Sequence, residues 1–300
     1  MMAAISDSLA RPVDLREPSG WRRSKNQLMT VLMWLAFVIV LIPLGFVLVT
    51  LVAKGADAIS WQFLTNSTIP PNVVPLGTGG MGAAVVGTLE VTGFASVLAI
   101  PLGVLGAVYL NEYGGNRILA QLISFMSNVM TGVPSIVMGL FIFIIWVTHF
   151  GYSGLAGSFA LACLMLPIVI RSSYEMLLLV PDSLREGSYA LGASKARVTV
   201  TVVLPAALSG IVSGALLAIA RAAGETAPVL FTMLTVEQTN TNLFSGPNTT
   251  LPFQIFMNAQ SAYTGANARA WGAALTLVAI TFILMIVARI ITALFTRNAR

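Results

Sequence analysis

The stretch Glu186–Gly192 (Glu-Gly-Ser-Tyr-Ala-Leu-Gly) is a polar segment between two long apolar runs, and Val202-Val203-Leu204-Pro205 follows it. Its length corresponds to about one to two turns of an α-helix. Its charged and small residues set it apart from the apolar sequence on both sides. The segment is therefore predicted to lie at a surface, and the flanking runs determine what kind of surface that is.

The apolar runs are long enough to cross a lipid bilayer. The chain has 300 residues, 57% of them apolar and only 9% charged, whereas soluble domains typically carry about 25% charged residues. A spanning helix needs about 18 to 20 apolar residues, and the runs lack the alternation of a membrane β-barrel. An all-α polytopic membrane protein with six transmembrane helices is therefore predicted. The predicted spans are 28–53, 81–109, 121–148, 157–180, 206–235 and 270–294.

Basic residues predict the orientation of these spans, because Lys and Arg are enriched in cytoplasmic loops. Both termini and the segment around 186–192 are basic, whereas the opposite connections offer only Lys54 and Arg269. Both termini are therefore expected in the cytoplasm. The net charge of +5 then reflects topology, and no nucleic-acid surface is indicated.

This orientation gives a predicted division of the chain. The long outer connections, 54–80 and 236–269, are either ordered caps or contacts for an extracytoplasmic partner. The predicted segments are a cytoplasmic tail at 1–27, a first transmembrane helix at 28–53, a five-helix domain at 81–294 with a cytoplasmic loop at about 181–205, and a cytoplasmic tail at 295–300.

A short helix is predicted within the cytoplasmic loop. Asp182 or Ser183 is expected to cap its N-terminus, and Gly192 is expected to end it at the C′ position. Such a helix suits a groove on another protein, although an ordinary amphipathic connector has the same pattern. Gly187 and Gly192 have the spacing of a phosphate-binding loop, but Ala193 follows where Lys is required, so ATP binding by this chain is not expected.

Ionisable residues occur inside three of the predicted spans. Each costs about 2.5 to 3.5 kcal/mol near a helix centre, so each needs a partner or a wet cavity. Arg221 and Glu225, like Arg171 and Glu175, have the i,i+4 spacing that permits an ion pair, and Glu90 lies in another span. At about 1.5 Å per residue, Glu90 and Glu225 lie roughly 13 and 15 Å from the outer ends of their spans, so with Arg221 they could surround one cavity.

A guanidinium in such a cavity would match an oxyanion through two parallel hydrogen bonds. The alternative is that Arg221 and Glu225 form a packing pair that never touches transported substrate. Arg171 could likewise extend toward the cytoplasmic interface. Gly210-x-x-x-Gly214 permits close approach of two helices in the same region.

The segment 186–205 resembles the EAA loop in the inner-membrane subunits of ATP-binding-cassette (ABC) importers. That loop reads Glu-Ala-Ala, three residues, Gly, nine residues, Ile, one residue, Leu-Pro. The matching positions are Glu186, Gly192, Leu204 and Pro205, with Gly187 and Ser188 in place of the alanines and Val202 in place of Ile. Other stretches are similar to type I importer permeases, including their phosphate-importer branch: Gly87-Thr88-Leu89, Ile100–Gly103, Tyr109–Tyr113, Gly132–Leu140 and Ala220–Pro228.

The resemblance covers about residues 80 to 294 and implies a MetI-like permease bundle. Such a chain would form half of the phosphate path in the inner or plasma membrane of a prokaryote, without being an enzyme or binding a cofactor itself. The implied partners are a second permease (PstC-like), a dimer of an ATP-binding subunit (PstB-like) that carries ATP and Mg, and an extracytoplasmic phosphate-binding protein (PstS-like).

The resemblance also implies roles for particular residues. Coupling to the ATPase would fall to the exposed helix, through Glu186, Gly187, Ser188, Leu191 and Gly192. Phosphate passage would fall to Arg221, Glu225 and Arg171, and Glu90 joins them through its predicted depth.

Three other functions remain open at this point. The same machine could carry another oxyanion, such as sulfate or molybdate, because a fixed Arg favours anions in general. A proton-coupled secondary transporter could use Glu90 and Glu225 as proton sites, although no inverted repeat is evident. A scaffold subunit without a path of its own is the third.

Overall fold

The computed structural model describes residues 20–67, 79–234, 236 and 238–297. These residues are largely helical, and no strand occurs among them. The helices are α1 (Gly20–Gly55), α2 (Trp61–Thr65), α3 (Gly82–Val108), α4 (Ile118–Gly132), α5 (Ser135–Ile142), α6 (Thr148–Phe150), α7 (Gly154–Leu178), α8 (Asp182–Ala190), α9 (Lys195–Val198), α10 (Leu204–Ala223), α11 (Val229–Thr232), α12 (Leu251–Ala259) and α13 (Thr264–Arg297). Short π-helical segments lie at Tyr109–Gly114, Phe143–Val147 and Thr199–Val203.

The chain divides into two compact units, one up to Thr50 and one from Leu51. The described part of the first unit is most of α1, which begins at Gly20, within the tail predicted for 1–27. The rest of that tail lies outside the described residues, as do 68–78 of the predicted outer connection and 298–300 of the predicted C-terminal tail. The second unit contains the remaining helices.

Five of the described helical segments are long and apolar enough to cross a membrane, and the number is six if the bent pair α4–α5 is one span. This agrees with the six transmembrane helices expected from the sequence. The predicted spans at 81–109, 157–180 and 270–294 correspond to α3, α7 and α13, with ends that differ by a few residues.

The third predicted span, 121–148, is not one straight helix. The chain breaks between α4 and the helical segment Ser135–Phe150, and the two axes differ by 108°. Val133 is extended at the break, with φ −75° and ψ 128°, a conformation favoured for a residue that precedes proline. Pro134 then caps α5.

The fifth predicted span, 206–235, is wrong at its C-terminal end. Helix α10 ends at Ala223, and Gly224 is its C-cap. Residues 224–228 form a turn before the four-residue helix α11 begins after Pro228. Glu225 therefore lies in a break in the helix and not within a continuous span.

Helices α3, α7 and α10 pack together around the main apolar core. Val91, Leu161, Val169 and Ala218 are among its fully or almost fully buried residues. The close approach predicted at Gly210-x-x-x-Gly214 is confirmed, because a Cβ atom at Gly214 would overlap the side chain of Ser172 on α7. A Cβ at Gly103 of α3 would lie 2.7 Å from Cγ1 of Val169.

The described part of the loop between α11 and α12 caps α7. The backbone N–H of Gly154, at the start of α7, donates to Oδ1 of Asn248 over 3.0 Å. The N–H of Leu155 donates to the carbonyl of Leu243 over 2.8 Å, and Asn248 Nδ2 donates to the Asn240 carbonyl. The bonds from Gly154 and Leu155 satisfy two backbone N–H groups that the start of a helix leaves without intrahelical partners. The described part of segment 236–269 therefore covers the start of α7, and contact with an extracytoplasmic partner stays a prediction.

Candidate coupling and translocation sites

The coupling helix predicted from the loop is α8, Asp182–Ala190. Its end at Gly192 is confirmed: Gly192 has φ +83°, its N–H donates to the Tyr189 carbonyl, and the N–H of Ala193 donates to the Ser188 carbonyl. This pair of bonds is a Schellman motif, which places Gly192 at C′.

The N-cap prediction for this helix is wrong. Pro181 occupies the N-cap position and makes no side-chain cap, while Asp182 is already the first helical residue. The Asp182 carboxylate instead accepts a hydrogen bond from Arg185 Nη1 over 2.9 Å. It keeps an acidic group in the first turn, where the helix dipole favours it.

The face of α8 and its C-terminal turn expose apolar and acidic side chains together. Leu191 is 90% exposed, and Leu184 is 47% exposed. Glu186 and Gly187 are exposed, and Glu186 makes no ion pair or hydrogen bond with any described side chain. A nearly fully exposed leucine and an unpaired carboxylate on the same short segment can fill an apolar pocket and meet a basic group on another protein.

Arg185 fixes α8 to the membrane bundle, and its role was not predicted from the sequence. Its Nη2 lies 3.1 Å from Glu112 Oε1 and donates to the Leu177 carbonyl, while Nη1 donates to the Val180 carbonyl over 2.7 Å. The side chains of Arg185 and Glu112 are only 14% and 5% exposed. One guanidinium therefore joins α8 to the π-helical extension of α3 and to the C-terminal end of α7.

Arg221 and Glu225 form the ion pair that their spacing predicted. Nε of Arg221 lies 3.4 Å from Oε1 of Glu225 at the end of α10, and their side chains are 64% and 17% exposed. Next to Glu225, Pro228 packs so closely on Gly139 of α5 that a Cβ there would lie 2.5 Å from the Pro228 Cα. The bent pair α4–α5 therefore packs against the helix break that carries Glu225.

Arg171 and Glu175 also pair, through a 2.6 Å contact between Nε and Oε1 on the exposed face of α7. Arg171 lines a cavity of about 510 Å³ between α4 and α7. The polar residues that share this cavity are Gln121, Ser124, Ser127, Asn128 and Tyr174. The sequence did not predict that α4 supplies these groups, because they are scattered through an apolar run.

The structure does not bring Glu90 together with Arg221. The side chain of Ser158 on α7 donates to the Val91 carbonyl, so Glu90 lies at about the same depth along the bundle as Ala156. Gly214 of α10 faces Ser172 of α7, so Arg221 lies at about the same depth along the bundle as Met165. At 1.5 Å per residue these levels differ by about 13 Å. The expectation of one shared cavity rested on the helix continuing to 235.

Glu90 instead faces the ordered outer loop. Glu90 lies between Gly87 and Phe94 on one face of α3. Gly87 packs against the Thr249 carbonyl, and the ring centroids of Phe94 and Phe244 are 6.1 Å apart. Among the described residues, Oε2 of Glu90 is buried without a hydrogen-bond partner. An unpaired buried carboxylate oxygen is uncommon in a folded protein.

Comparison with known proteins identifies the family of this chain. Residues 99–300 match the family of binding-protein-dependent transport system inner membrane components. The chain therefore belongs to this family of membrane permeases.

Two relatives align with this chain over nearly its whole length. The phosphate transport system permease protein PstA 1 of Mycobacterium tuberculosis strain H37Rv is 41% identical, with 98% of this chain and 96% of the relative covered. The phosphate transport system permease protein PstA of Yersinia pestis is 42% identical, with 93% of each chain covered.

Solved structures show the same fold. The MetNI methionine ABC transporter in an inward-facing conformation matches with a TM-score of 0.52 and 21% identity, over 74% of this chain and 94% of that one. A bacterial ABC transporter involved in alginate import matches with a TM-score of 0.59 and 13% identity, over 91% of this chain and 98% of that one. The MetI-like permease bundle expected from the sequence is thus confirmed.

Proposed function

We propose that this chain is the membrane-spanning subunit of an ATP-driven importer for inorganic phosphate. The observation that carries the proposal is its identity of about 41% over nearly its whole length with a permease named for phosphate transport. The exposed helix α8 supports the ATP-driven part, and arginines inside the membrane support an anionic cargo.

The exposed arginines also imply a second membrane subunit. Arg171 and Arg221 are 68% and 64% exposed within membrane-spanning segments, and charged groups there are rarely left in contact with lipid. Their faces are therefore covered by another protein surface or line a water-filled path. A second permease that closes this path from the opposite side meets both needs.

Phosphate would encounter two arginines along this path, Arg221 and Arg171. Arg221 lies seven residues beyond Gly214, whereas Arg171 adjoins Ser172, which faces Gly214. The two arginines are thus about 9 Å apart along the bundle, with Arg171 nearer to α8. Each is paired with a carboxylate, so the site stays compensated when no anion is bound, and each guanidinium can exchange that carboxylate for an oxyanion.

ATPase movement would reach the path through Arg185. A dimer of ATP-binding subunits, which would hold ATP and Mg, receives α8 in a groove through Glu186 and Leu191. Because Arg185 binds both Glu112 and the C-terminal carbonyls of α7, a displacement of α8 moves the end of the helix that carries Arg171. The chain itself would catalyse no reaction, and both of its termini would lie in the cytoplasm of a prokaryote, with an extracytoplasmic phosphate-binding protein on the opposite side.

Purification of a tagged copy from its native membrane tests the assembly. Mass spectrometry should find an ATP-binding subunit, a second permease and a phosphate-binding protein, and Glu186→Lys should lose the ATPase because the change reverses the charge at the docking face. A chain that purifies alone would contradict the assembly. Competition for uptake then tests the cargo: excess unlabelled phosphate should block uptake of labelled phosphate, whereas inhibition by sulfate or molybdate at equal concentration would indicate a different oxyanion.

A further inference from the structure

A second polar cavity lies at the end of the bundle opposite to α8, in the unit that begins at Leu51. It has a volume of about 570 Å³. The last turn of α1, helix α2 and the first two turns of α13 form its walls. None of the candidate pathway or coupling residues lines it. Its charged and polar lining residues are Lys54, Asp57, Ser60, Gln62, Asn66 and Arg269.

Arg269 is a buried cation that has no charged partner among the described residues. The residue is only 6% exposed, and its Nε and Nη1 atoms are buried without hydrogen-bond acceptors among the described residues. Within the described part of the chain, its side chain makes one long hydrogen bond, 3.4 Å from Nη2 to Oδ1 of Asn258. Burying a guanidinium with most of its donors unpaired is unfavourable, so the arrangement calls for an anionic ligand.

A hydrogen-bonded chain holds Arg269 in place. Asn258 Nδ2 donates to the carbonyl and to Oε1 of Gln254, over 2.8 and 3.1 Å, and Gln254 Nε2 donates to Thr249 Oγ1 over 3.0 Å. All three of these residues are buried. Because they use their own donors on one another, they orient the guanidinium without neutralising it, and Nε and Nη1 keep their donors for a ligand.

Lys54 adds a second cation to the same cavity. Its Nζ lies 5.1 Å from the ring centroid of Trp271, a cation–π geometry that keeps the ammonium at the cavity wall. Asp57 also lines the cavity but forms no ion pair with Lys54 or Arg269. The described lining therefore has two cations and one anion, an excess of one positive charge.

We propose that this cavity binds a phosphate group, either inorganic phosphate or the headgroup phosphate of an anionic phospholipid. Nε–H and Nη1–H of Arg269, which lack acceptors among the described residues, lie on different edges of the guanidinium, and each can donate to a phosphate oxygen. Lys54 supplies a further, movable donor. Lys, Trp and Arg together at the end of transmembrane helices are also typical of the level at which lipid headgroups lie. The proposal does not depend on the cargo of the importer.

Binding measurements on the assembled complex test the proposal. One arm measures equilibrium binding of labelled inorganic phosphate in detergent free of phospholipid and free of the phosphate-binding protein, in an Arg221→Gln background that weakens the pathway. The other arm measures retention of phosphatidylglycerol by native mass spectrometry after exposure to nanodiscs of phosphatidylglycerol and phosphatidylcholine. The arm that gives binding identifies the source of the phosphate group.

Arg269→Gln and Lys54→Gln should weaken that binding, by tenfold or more and by severalfold respectively. Arg269→Lys should also weaken it, because the charge remains but the planar guanidinium with its several fixed donors is lost. Arg117→Gln is the matched control: it removes one positive charge from an exposed residue that does not line the cavity, and it should leave binding unchanged. If Arg269→Gln does not assemble, the exposed Lys54 and the conservative Arg269→Lys still decide the question. Absence of binding in both arms, or wild-type binding by Lys54→Gln and Arg269→Lys, would overturn the proposal.

Discussion

Replacement of Arg185 by Met would test how the coupling helix is tied to the membrane bundle. The guanidinium is 14% exposed and binds Glu112, which is 5% exposed, together with the carbonyls of Leu177 and Val180. Arg185→Met leaves the buried Glu112 carboxylate with one side-chain donor, Nδ2 of Asn111 at 2.9 Å. Removing one member of a buried ion pair costs about 3 to 5 kcal/mol in the free energy of unfolding.

Two further variants distinguish the cost of leaving a buried charge unpaired from the cost of losing a hydrogen bond. Glu112→Gln keeps an acceptor for Arg185 and should cost only about 1 to 2 kcal/mol, the difference between a charged and a neutral hydrogen bond. The double variant Glu112→Gln/Arg185→Met no longer buries an unpaired charge, so it should be about 1 to 3 kcal/mol more stable than Arg185→Met alone. Asp182→Asn is the matched control, because Asp182 binds the same guanidinium but is 85% exposed and should contribute less than about 1 kcal/mol.

The assay is chemical and thermal unfolding of the detergent-purified complex, read together with phosphate taken up per ATP hydrolysed. Arg185→Met should lower the transport ratio as well as the stability, because α8 can then move without displacing the ends of α3 and α7. Equal destabilisation by Glu112→Gln and Asp182→Asn, or unchanged stability of Arg185→Met, would refute the reasoning. A double variant less stable than Arg185→Met would do the same.

Three other predictions concern the path, the coupling helix and the outer loop. Arg221→Gln should abolish ATP-driven phosphate uptake in proteoliposomes while the complex still assembles, because the pathway loses one of its two cations; wild-type uptake would leave Arg221 a packing role only. Gly192→Ala should destabilise the protein by about 1 to 2 kcal/mol in unfolding experiments, because φ is +83° there. Gly187→Ala, at an equally open but helical position, should instead stabilise it by about 0.4 to 1 kcal/mol, so a common sign would contradict the assignment of the helix end. Asn248→Ala should cost about 1 to 2 kcal/mol in the same experiments, since it removes the cap of α7, whereas the exposed Asn242→Ala should cost less.

The features that the sequence predicted well depend on local chemistry. Gly192 ends the coupling helix because a left-handed residue is needed there, and glycine adopts that conformation without strain. The ion pair Arg171–Glu175 follows from i,i+4 spacing on a helix, and Arg221–Glu225 forms at the same spacing although Glu225 lies just beyond the end of α10. The long apolar spans follow from hydropathy, because a bilayer demands a minimum length.

The features that the sequence did not predict depend on contacts between distant segments. Glu112 and Arg185 are separated by 73 residues, and only the packing of α3 against α7 brings them together. The N-cap was missed for a local reason: Asp182 is already helical and pairs with Arg185, three residues further on. The end of the fifth span was missed because Gly224–Pro228 interrupts an apolar run whose hydropathy continues past it.

The most direct test of the central claim is uptake of labelled phosphate by proteoliposomes that contain the assembled complex, with ATP supplied on the side of the ATPases. The account predicts uptake that requires ATP, that survives a proton uncoupler, and that is lost in Glu186→Lys together with the bound ATPase. Uptake that proceeds without ATP and collapses with the uncoupler would contradict it, and Glu90 and Glu225 would then be the residues to examine as proton sites.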